Sequence, residues 1–197
     1  MKTIHCYGFL SLCLFVCLAA VEVAHTKTYP HLRDGFFAGV GLGFGNAGAD
    51  ISLVENLDRE SDGIGNFVFG WAVAQQLGLA LEINAWQSQF RGDVFRDVTW
   101  TFSLSTITAT YFPSDIGFFL RGGFGVGTSS VELTQGVVPV SETKAGPGFL
   151  AGAGYEWRVT EKMAIGPQVE FAYLNIEGEI TEEVDFFAVT AHATWYW

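Results

Sequence analysis

The sequence predicts an all-β protein, an eight-stranded antiparallel transmembrane β-barrel preceded by a cleaved signal peptide. The last strand, Phe186–Trp197, alternates strictly between two faces and ends on an aromatic residue. The chain is 49% hydrophobic, yet no apolar run beyond its N-terminus is long enough for a spanning helix. It contains 24 glycines and 18 phenylalanines, many of them at every second position of a predicted strand. This is typical of strands that face lipid on one side and a narrow lumen on the other.

The N-terminus predicts a secretory signal. Lys2 is followed by the apolar run Ile4–Ala20, and small residues at Ala19 and Ala20 predict cleavage near that point. An uncleaved helical anchor is the alternative. The three cysteines of the chain lie in this segment, so neither a disulfide nor a thiolate metal site is expected in the mature chain. We therefore predict a signal peptide at 1–20 and a barrel domain at 35–197.

The first three strands alternate apolar residues with small or polar ones. The first places glycine at every second position, which leaves room inside a narrow barrel. The second directs aromatic residues outward, and the third places Glu82 inward between Leu81 and Ile83. The predicted strands are Gly35–Gly45, Asn66–Ala74 and Leu79–Phe90.

The fourth and fifth strands are separated by a turn at Pro113. In the fourth strand the apolar residues change phase, which predicts a β-bulge near Ser105 or Thr106. The fifth strand directs phenylalanine and leucine outward and Arg121 inward. The predicted strands are Val98–Phe112 and Phe118–Gly127.

The last three strands place ionisable side chains inward: Glu156 and Arg158 in the sixth, Glu170 in the seventh and His192 in the eighth. Pro167 cannot donate a hydrogen bond to a neighbouring strand, and a closed barrel has no free edge, so we predict a second bulge there. The predicted strands are Gly148–Arg158, Met163–Tyr173 and Phe186–Trp197.

Short and long connections alternate along the chain. Turns at Gln75, Pro113 and Thr160 are predicted to be periplasmic, and the longer connections external. The predicted external loops are Asn46–Gly65, Arg91–Asp97, Thr128–Gly146 and Ile176–Val184. A ten-stranded barrel is the alternative if the third loop, which contains Val131–Leu133 and Val137–Val140, forms a further hairpin.

Several segments carry a family resemblance: Tyr111–Pro113 before a turn, Gly152–Trp157 leading to Thr160–Lys162, and the aromatic C-terminus. In these segments, and over Gly35 to Trp197 as a whole, the chain resembles the small outer-membrane β-barrels of the OmpA-, OmpX- and opacity-protein-like kind. The resemblance implies the outer membrane of a Gram-negative cell and roles from envelope stability to host or surface adhesion. It also implies that Trp195 and Trp197 form the signal read by the barrel-assembly machinery, although such barrels usually end in phenylalanine.

The inward positions include a set of ionisable residues. A lone buried ion costs several kcal/mol, so charges confined in a narrow lumen are expected to pair. We predict a structural ion-pair network that fills the lumen, with glutamates set against arginines; unrelated charges bridged by water are the alternative. The predicted network comprises Glu82, Arg121, Glu156, Arg158, Glu170 and His192.

His192 is the natural candidate for catalysis, but a general base needs a nucleophile within hydrogen-bond distance. Thr190 and Thr194 are the hydroxyl residues near it on its face of the strand. Lipid A deacylases on eight-stranded barrels have a serine and a histidine on one strand near the end of the chain, whereas the matching position here is Thr194. We therefore predict a structural histidine, with no catalytic residue and no cofactor.

The predicted outer loops are acidic, because 14 of the chain's 21 acidic residues lie in or beside them. With a net charge of −11, nucleic acid is not an expected partner. A solvated, repulsive face is one interpretation. Divalent-ion bridging to lipopolysaccharide phosphates, or binding of a basic partner, is the other. No defined metal site is predicted, and the weak candidates for divalent-ion contact are Asp58, Glu60, Asp62, Glu179, Glu182 and Glu183.

Together these features predict a monomeric outer-membrane surface protein with a filled lumen, acting in envelope stability or in surface or host interaction. Its expected surroundings are outer-membrane lipid and lipopolysaccharide, with an extracellular partner at the loops. A narrow channel for small or hydrophobic solutes is the first alternative, and an outer-membrane lipid hydrolase is the second.

Overall fold

Nine strands form one antiparallel sheet in the part of the chain that this computed structural model describes, residues 32–51, 60–90, 97–135, 138–176 and 181–197. They are β1 (Gly35–Ile51), β2 (Glu60–Ala74), β3 (Leu77–Phe90), β4 (Asp97–Tyr111), β5 (Phe118–Gln135), β6 (Val138–Tyr155), β7 (Trp157–Arg158), β8 (Met163–Asn175) and β9 (Thr181–Tyr196). Neighbouring strands in the chain pair with each other except β6 and β7, which both pair with β8, and the pairing of β1 with β9 completes the barrel. Because β7 only continues β6 beyond Glu156, the wall has eight strands, which confirms the predicted fold class. The predicted signal peptide lies outside the described residues.

The strands extend further at the long-loop end than the sequence predicts. The segment Thr128–Gly146, predicted as an external loop, is mostly a ladder in which β5 and β6 pair out to Gln135 and Val138. The prediction of a loop there is wrong, and within the described residues this segment lengthens one hairpin and adds no ninth and tenth wall strands. Short turns at the opposite end join β2 to β3, β4 to β5 and β7 to β8, at the three predicted places.

The bulge predicted near Ser105 or Thr106 is absent from the described strand β4. One register runs through the whole β3–β4 ladder, from the pair of Leu77 with Tyr111 to the pair of Phe90 with Val98. The prediction is wrong because the backbone of β4 stays regular. What changes along the strand is the face on which its apolar residues lie.

The bulge predicted at Pro167 is absent as well. Gly154 pairs with Gln168, and Trp157 pairs with Ile165. Between these two pairs each strand contains the same number of residues, so neither strand has an extra one. The missing N–H of Pro167 coincides with the break between β6 and β7. The barrel therefore accommodates the proline at a break in the hydrogen bonds between strands, and no extra residue is inserted.

The outward face of the barrel is apolar over its lower part, next to the short turns. On β3 this face is apolar from Leu77 to Ala85, which is about 27 Å along the strand. At a tilt of about 40° this gives roughly 20 Å of height, close to the apolar band of outer-membrane barrels. Above the band, on β4, Thr101 and Ser103 face outward while Phe102 faces inward and is buried. Within the described residues no helix has the length and apolar character needed to cross a membrane.

Candidate functional site

The lumen is the candidate site, because the predicted ionisable side chains project into it. Glycine-rich strands β1, β5 and β6 face longer side chains from the rest of the wall. A Cβ atom added at Gly41 would collide with the Asn66 side chain, and one added at Gly154 would collide with the Phe119 ring. At both positions the space left by glycine is therefore occupied by the side chain of its partner on the neighbouring strand.

A periplasmic charge cluster, made of Arg33, Glu156, Arg158 and Tyr196, lies at the short-turn end of the lumen. Arg33 donates to Glu156 through Nη2 at 2.9 Å and through Nε at 3.1 Å, and the Tyr196 hydroxyl donates to the other carboxylate oxygen at 2.9 Å. Nε of Arg158 lies 4.0 Å from the same carboxylate. The structure thus brings together Glu156 and Arg158 of the predicted network around one buried acid.

The sequence does not predict a role for Arg33, because this residue precedes β1. The two-residue alternation of a strand therefore does not indicate where its side chain points. Its guanidinium lies 3.5 Å from the centroid of the Phe112 ring, and its backbone N–H donates to Oε1 of Gln75 at 3.0 Å. Arg158 in turn donates to the carbonyl of Leu32 at 2.8 Å. Leu32 and Arg33 therefore reach across the periplasmic mouth and close it. Charge balance is the signal that could have revealed Arg33, because the predicted network has three glutamates and two arginines.

A central charge cluster, made of Glu82, Arg121 and Glu170, lies further into the lumen. Nη1 of Arg121 donates to the two oxygens of Glu82 at 3.3 and 3.4 Å, and its Nε donates to Thr110 at 3.1 Å. Glu170 accepts a hydrogen bond from Gln168 and one from Asn66, and it lies beside Glu82. The predicted network is therefore divided into two clusters.

His192 is buried near these clusters. Among the described contacts it forms no ion pair with Glu82, Glu156 or Glu170. Its ring meets the Phe119 ring edge to face, with 5.5 Å between the centroids. Its Nδ1 atom has no hydrogen-bond partner among the described residues, and the same holds for the hydroxyl of Thr190. Among the described residues, no hydroxyl group is hydrogen-bonded to Nδ1 of His192.

An outer apolar cluster fills the lumen at the long-loop end. Its aromatic centre is Trp86, which stacks on Phe102 with 5.4 Å between ring centroids, and Phe102 lies 5.8 Å from the ring of Phe186. Aliphatic side chains complete the cluster, and Trp100 beside it donates its indole N–H to Ser129 at 2.8 Å. The buried aliphatic members include Ile64, Leu104, Leu150, Leu174, Ile176 and Val184. This end of the lumen resembles the core of a water-soluble protein.

Trp195 and Trp197, the residues predicted to signal barrel assembly, lie at the lipid-facing base of β9. Both are substantially exposed on the outer face, and the backbone N–H of Trp197 donates to the carbonyl of Phe36 at 2.9 Å. Phe36 packs against Trp71 edge to face, with 4.2 Å between ring centroids. These residues belong to an aromatic girdle at the periplasmic edge of the apolar band.

Most of the weak candidates for divalent-ion contact cannot be placed. Asp58 and Glu179 lie outside the described residues, as do the side chains of Glu60, Asp62 and Glu182. Glu183 is exposed near the outer end of β9. In the described part of the chain, no group of three or more histidine, cysteine, aspartate or glutamate side chains is arranged to hold a metal ion.

Solved structures with the same fold come from bacterial outer membranes. The chain resembles Ail, the attachment invasion locus protein of Yersinia pestis, with a TM-score of 0.60 and 14% identity over 82% of this chain and 99% of Ail. It resembles Neisserial surface protein A equally well, with a TM-score of 0.60 and 14% identity over 84% of this chain and 99% of that protein. No protein-family model and no curated protein sequence matches the chain. The chain therefore has the fold of these small outer-membrane β-barrels, and its apolar outer face is that of a barrel surrounded by lipid, as the sequence predicts.

Proposed function

We propose that the protein is a closed outer-membrane barrel that acts from its extracellular end, in envelope stability or in surface or host interaction, and does not form a general pore. The observation that supports this proposal best is closure at two levels. The periplasmic charge cluster occupies one end of the lumen, and the outer apolar cluster occupies the other. A solute would have to displace both a hydrogen-bonded ion cluster and a packed aromatic core.

Conductance of the refolded mature chain in a planar bilayer tests this proposal, once a heat-dependent gel shift has verified that the barrel is folded. We expect no discrete current steps from the wild-type protein. The variant Arg121→Ala should lower resistance to urea, because it leaves Glu82 unpaired in the lumen. Discrete steps from the wild-type protein would favour the narrow-channel function, and an unchanged resistance of Arg121→Ala to urea would contradict a structural role for the central charge cluster.

We also propose that the protein is not an enzyme. His192 lies inside the barrel, where acyl chains of the surrounding lipid do not reach it. A lipid hydrolase would need a nucleophilic hydroxyl within hydrogen-bond distance of the histidine. Among the described residues, the side chain of His192 packs against the aromatic ring of Phe119. These observations favour a structural histidine that packs in the lumen wall.

The acidic outer end favours a cationic partner over a polyanionic one. Ail has been crystallised with the heparin analogue sucrose octasulfate. The present chain carries a net charge of −11, and the outward-facing Glu183 and Asp185 lie at the outer end of β9. We infer that its extracellular partner is basic, or is lipopolysaccharide bridged through divalent ions, and that the protein itself is a monomer surrounded by lipid and inserted by the barrel-assembly machinery.

A further inference from the structure

A small cavity lies between the two charge clusters at the periplasmic end of the lumen. Its volume is about 20 Å³, which is enough for one small ion or one or two water molecules. Charged and polar side chains contribute much of its lining, among them Arg33, Thr110, Arg121, His192 and Thr194.

Hydrogen-bond donors face this cavity without a partner. Arg33 is only 2% exposed, and its Nη1 atom has no hydrogen-bond partner among the described residues. His192 is 8% exposed, and its Nδ1 atom is likewise unpartnered. A guanidinium nitrogen can only donate, and imidazole Nδ1 donates in the tautomer that carries the proton there. The cavity therefore offers buried donors to a ligand that accepts hydrogen bonds.

The charges around the cavity favour an anion. Two guanidinium groups line it, those of Arg33 and Arg121, whereas Glu156 is the one carboxylate among its described lining residues. Both oxygens of Glu156 are already engaged, one by Arg33 and the other by Tyr196. Arg121 is paired with Glu82, so the net charge around the cavity is nearly balanced. The unpartnered Nη1 of Arg33 is a positively charged donor away from bulk water, where electrostatic interactions are stronger, and this donor favours a small anion.

We propose that this cavity binds a small monovalent inorganic anion of the chloride class, held by Arg33 with His192 and Arg121. The anion would join the periplasmic and central charge clusters and would satisfy the free donor of Arg33.

Anomalous diffraction from crystals grown in bromide tests the proposal directly. We expect an anomalous peak within hydrogen-bond distance of Arg33 Nη1 in the wild-type protein. The peak should disappear in Arg33→Gln and persist in Arg158→Gln, because Arg158 belongs to the same charge cluster but does not line the cavity. Density without anomalous signal in the wild-type cavity would mean bound water and would overturn the proposal.

Unfolding rates in lipid vesicles distinguish a solution site from binding at crystal concentration only. Chloride replaces gluconate, which is too large for the cavity, at constant ionic strength. Because the ion must leave before the lumen wall opens, chloride at ten times its Kd should slow wild-type unfolding about tenfold. The change His192→Leu, which removes the other unpartnered donor and leaves both arginines in place, should reduce this effect even if Arg33→Gln fails to fold. Equal rates in the two salts, or an equal effect in wild type and His192→Leu, would overturn the proposal.

Discussion

Replacing Glu156 with alanine should destabilise the barrel strongly, because this carboxylate holds the periplasmic charge cluster together. The side chains of Glu156, Arg33 and Arg158 are almost fully buried. Removing one partner of a buried ion pair costs about 3–5 kcal/mol, since the charges left behind are neither solvated nor paired. We therefore expect Glu156→Ala to lower the free energy of unfolding by about 3–5 kcal/mol.

The complementary substitution separates the contribution of Arg33 from that of the cluster. Arg33→Ala removes two hydrogen bonds to Glu156 but leaves Arg158 at 4.0 Å, so we expect a smaller loss of about 2–3 kcal/mol. In the double variant the second truncation removes an already broken interaction. The two losses should therefore fall short of additivity by about 1–3 kcal/mol.

Urea unfolding in lipid vesicles, followed by tryptophan fluorescence, measures these losses from the midpoint and slope of each transition. Glu161→Ala is the matched control, because Glu161 is an exposed acid on the β7–β8 turn near the same mouth. Its substitution should change the free energy of unfolding by less than about 0.5 kcal/mol. The reasoning would be refuted if Glu156→Ala cost no more than the control, or if the losses for Glu156→Ala and Arg33→Ala were additive.

Two further predictions concern the filling of the lumen, and urea midpoints measure both. Gly43→Ala should cost about 1–3 kcal/mol, because the new methyl group would meet the backbone of β9, with Cα of Thr190 at 2.6 Å. Gly63→Ala, where no atom lies within 4 Å, is its control and should be nearly neutral; equal losses would contradict the close packing. Trp86→Ala should cost about 3–5 kcal/mol by opening a cavity in the outer apolar cluster. Trp71→Ala should cost less, because lipid can fill the space it leaves, and the reverse order would show that the outer end is loosely packed.

The sequence predicts which face of each lower strand meets lipid, because the period-two pattern there is set by one boundary between lipid and lumen. Glu82 and Arg121 could be assigned to the lumen on this basis, and the structure places them 3.3 Å apart. The alternation of residues between the two faces of a strand could not predict which charged residues pair, since pairing depends on strand order, register and side-chain length. It also could not find Arg33, which acts from a segment outside any strand.

The period-two pattern could not predict the upper half of the barrel. It separates the two faces of a strand, but it does not show whether a face contacts lipid, water or the lumen. On β4 the apolar residues Phe102 and Leu104 point inward, whereas Ile107 points outward on the lower part of the same regular strand. Interpreting this change as a bulge assumed lipid along the whole strand. The same assumption predicts a loop for the ladder between Thr128 and Gly146, because the sequence of that segment lacks the apolar alternation of a lipid-facing strand.

The reversal of polarity along the wall explains how the barrel can extend beyond the membrane. Above the apolar band, hydroxyl side chains pair across the outer surface, with Ser103 at 3.0 Å from Thr128 and Ser130 at 3.1 Å from Thr143. The inward side chains at this height form the outer apolar cluster, so the projecting section has the water-facing surface and buried core of a soluble β-barrel. An open channel through this section would expose that core to water and lose the hydrophobic stabilisation that keeps the wall rigid. Closure at the outer end is therefore a consequence of building a stable section above the lipid, and the external loops are held on a rigid base.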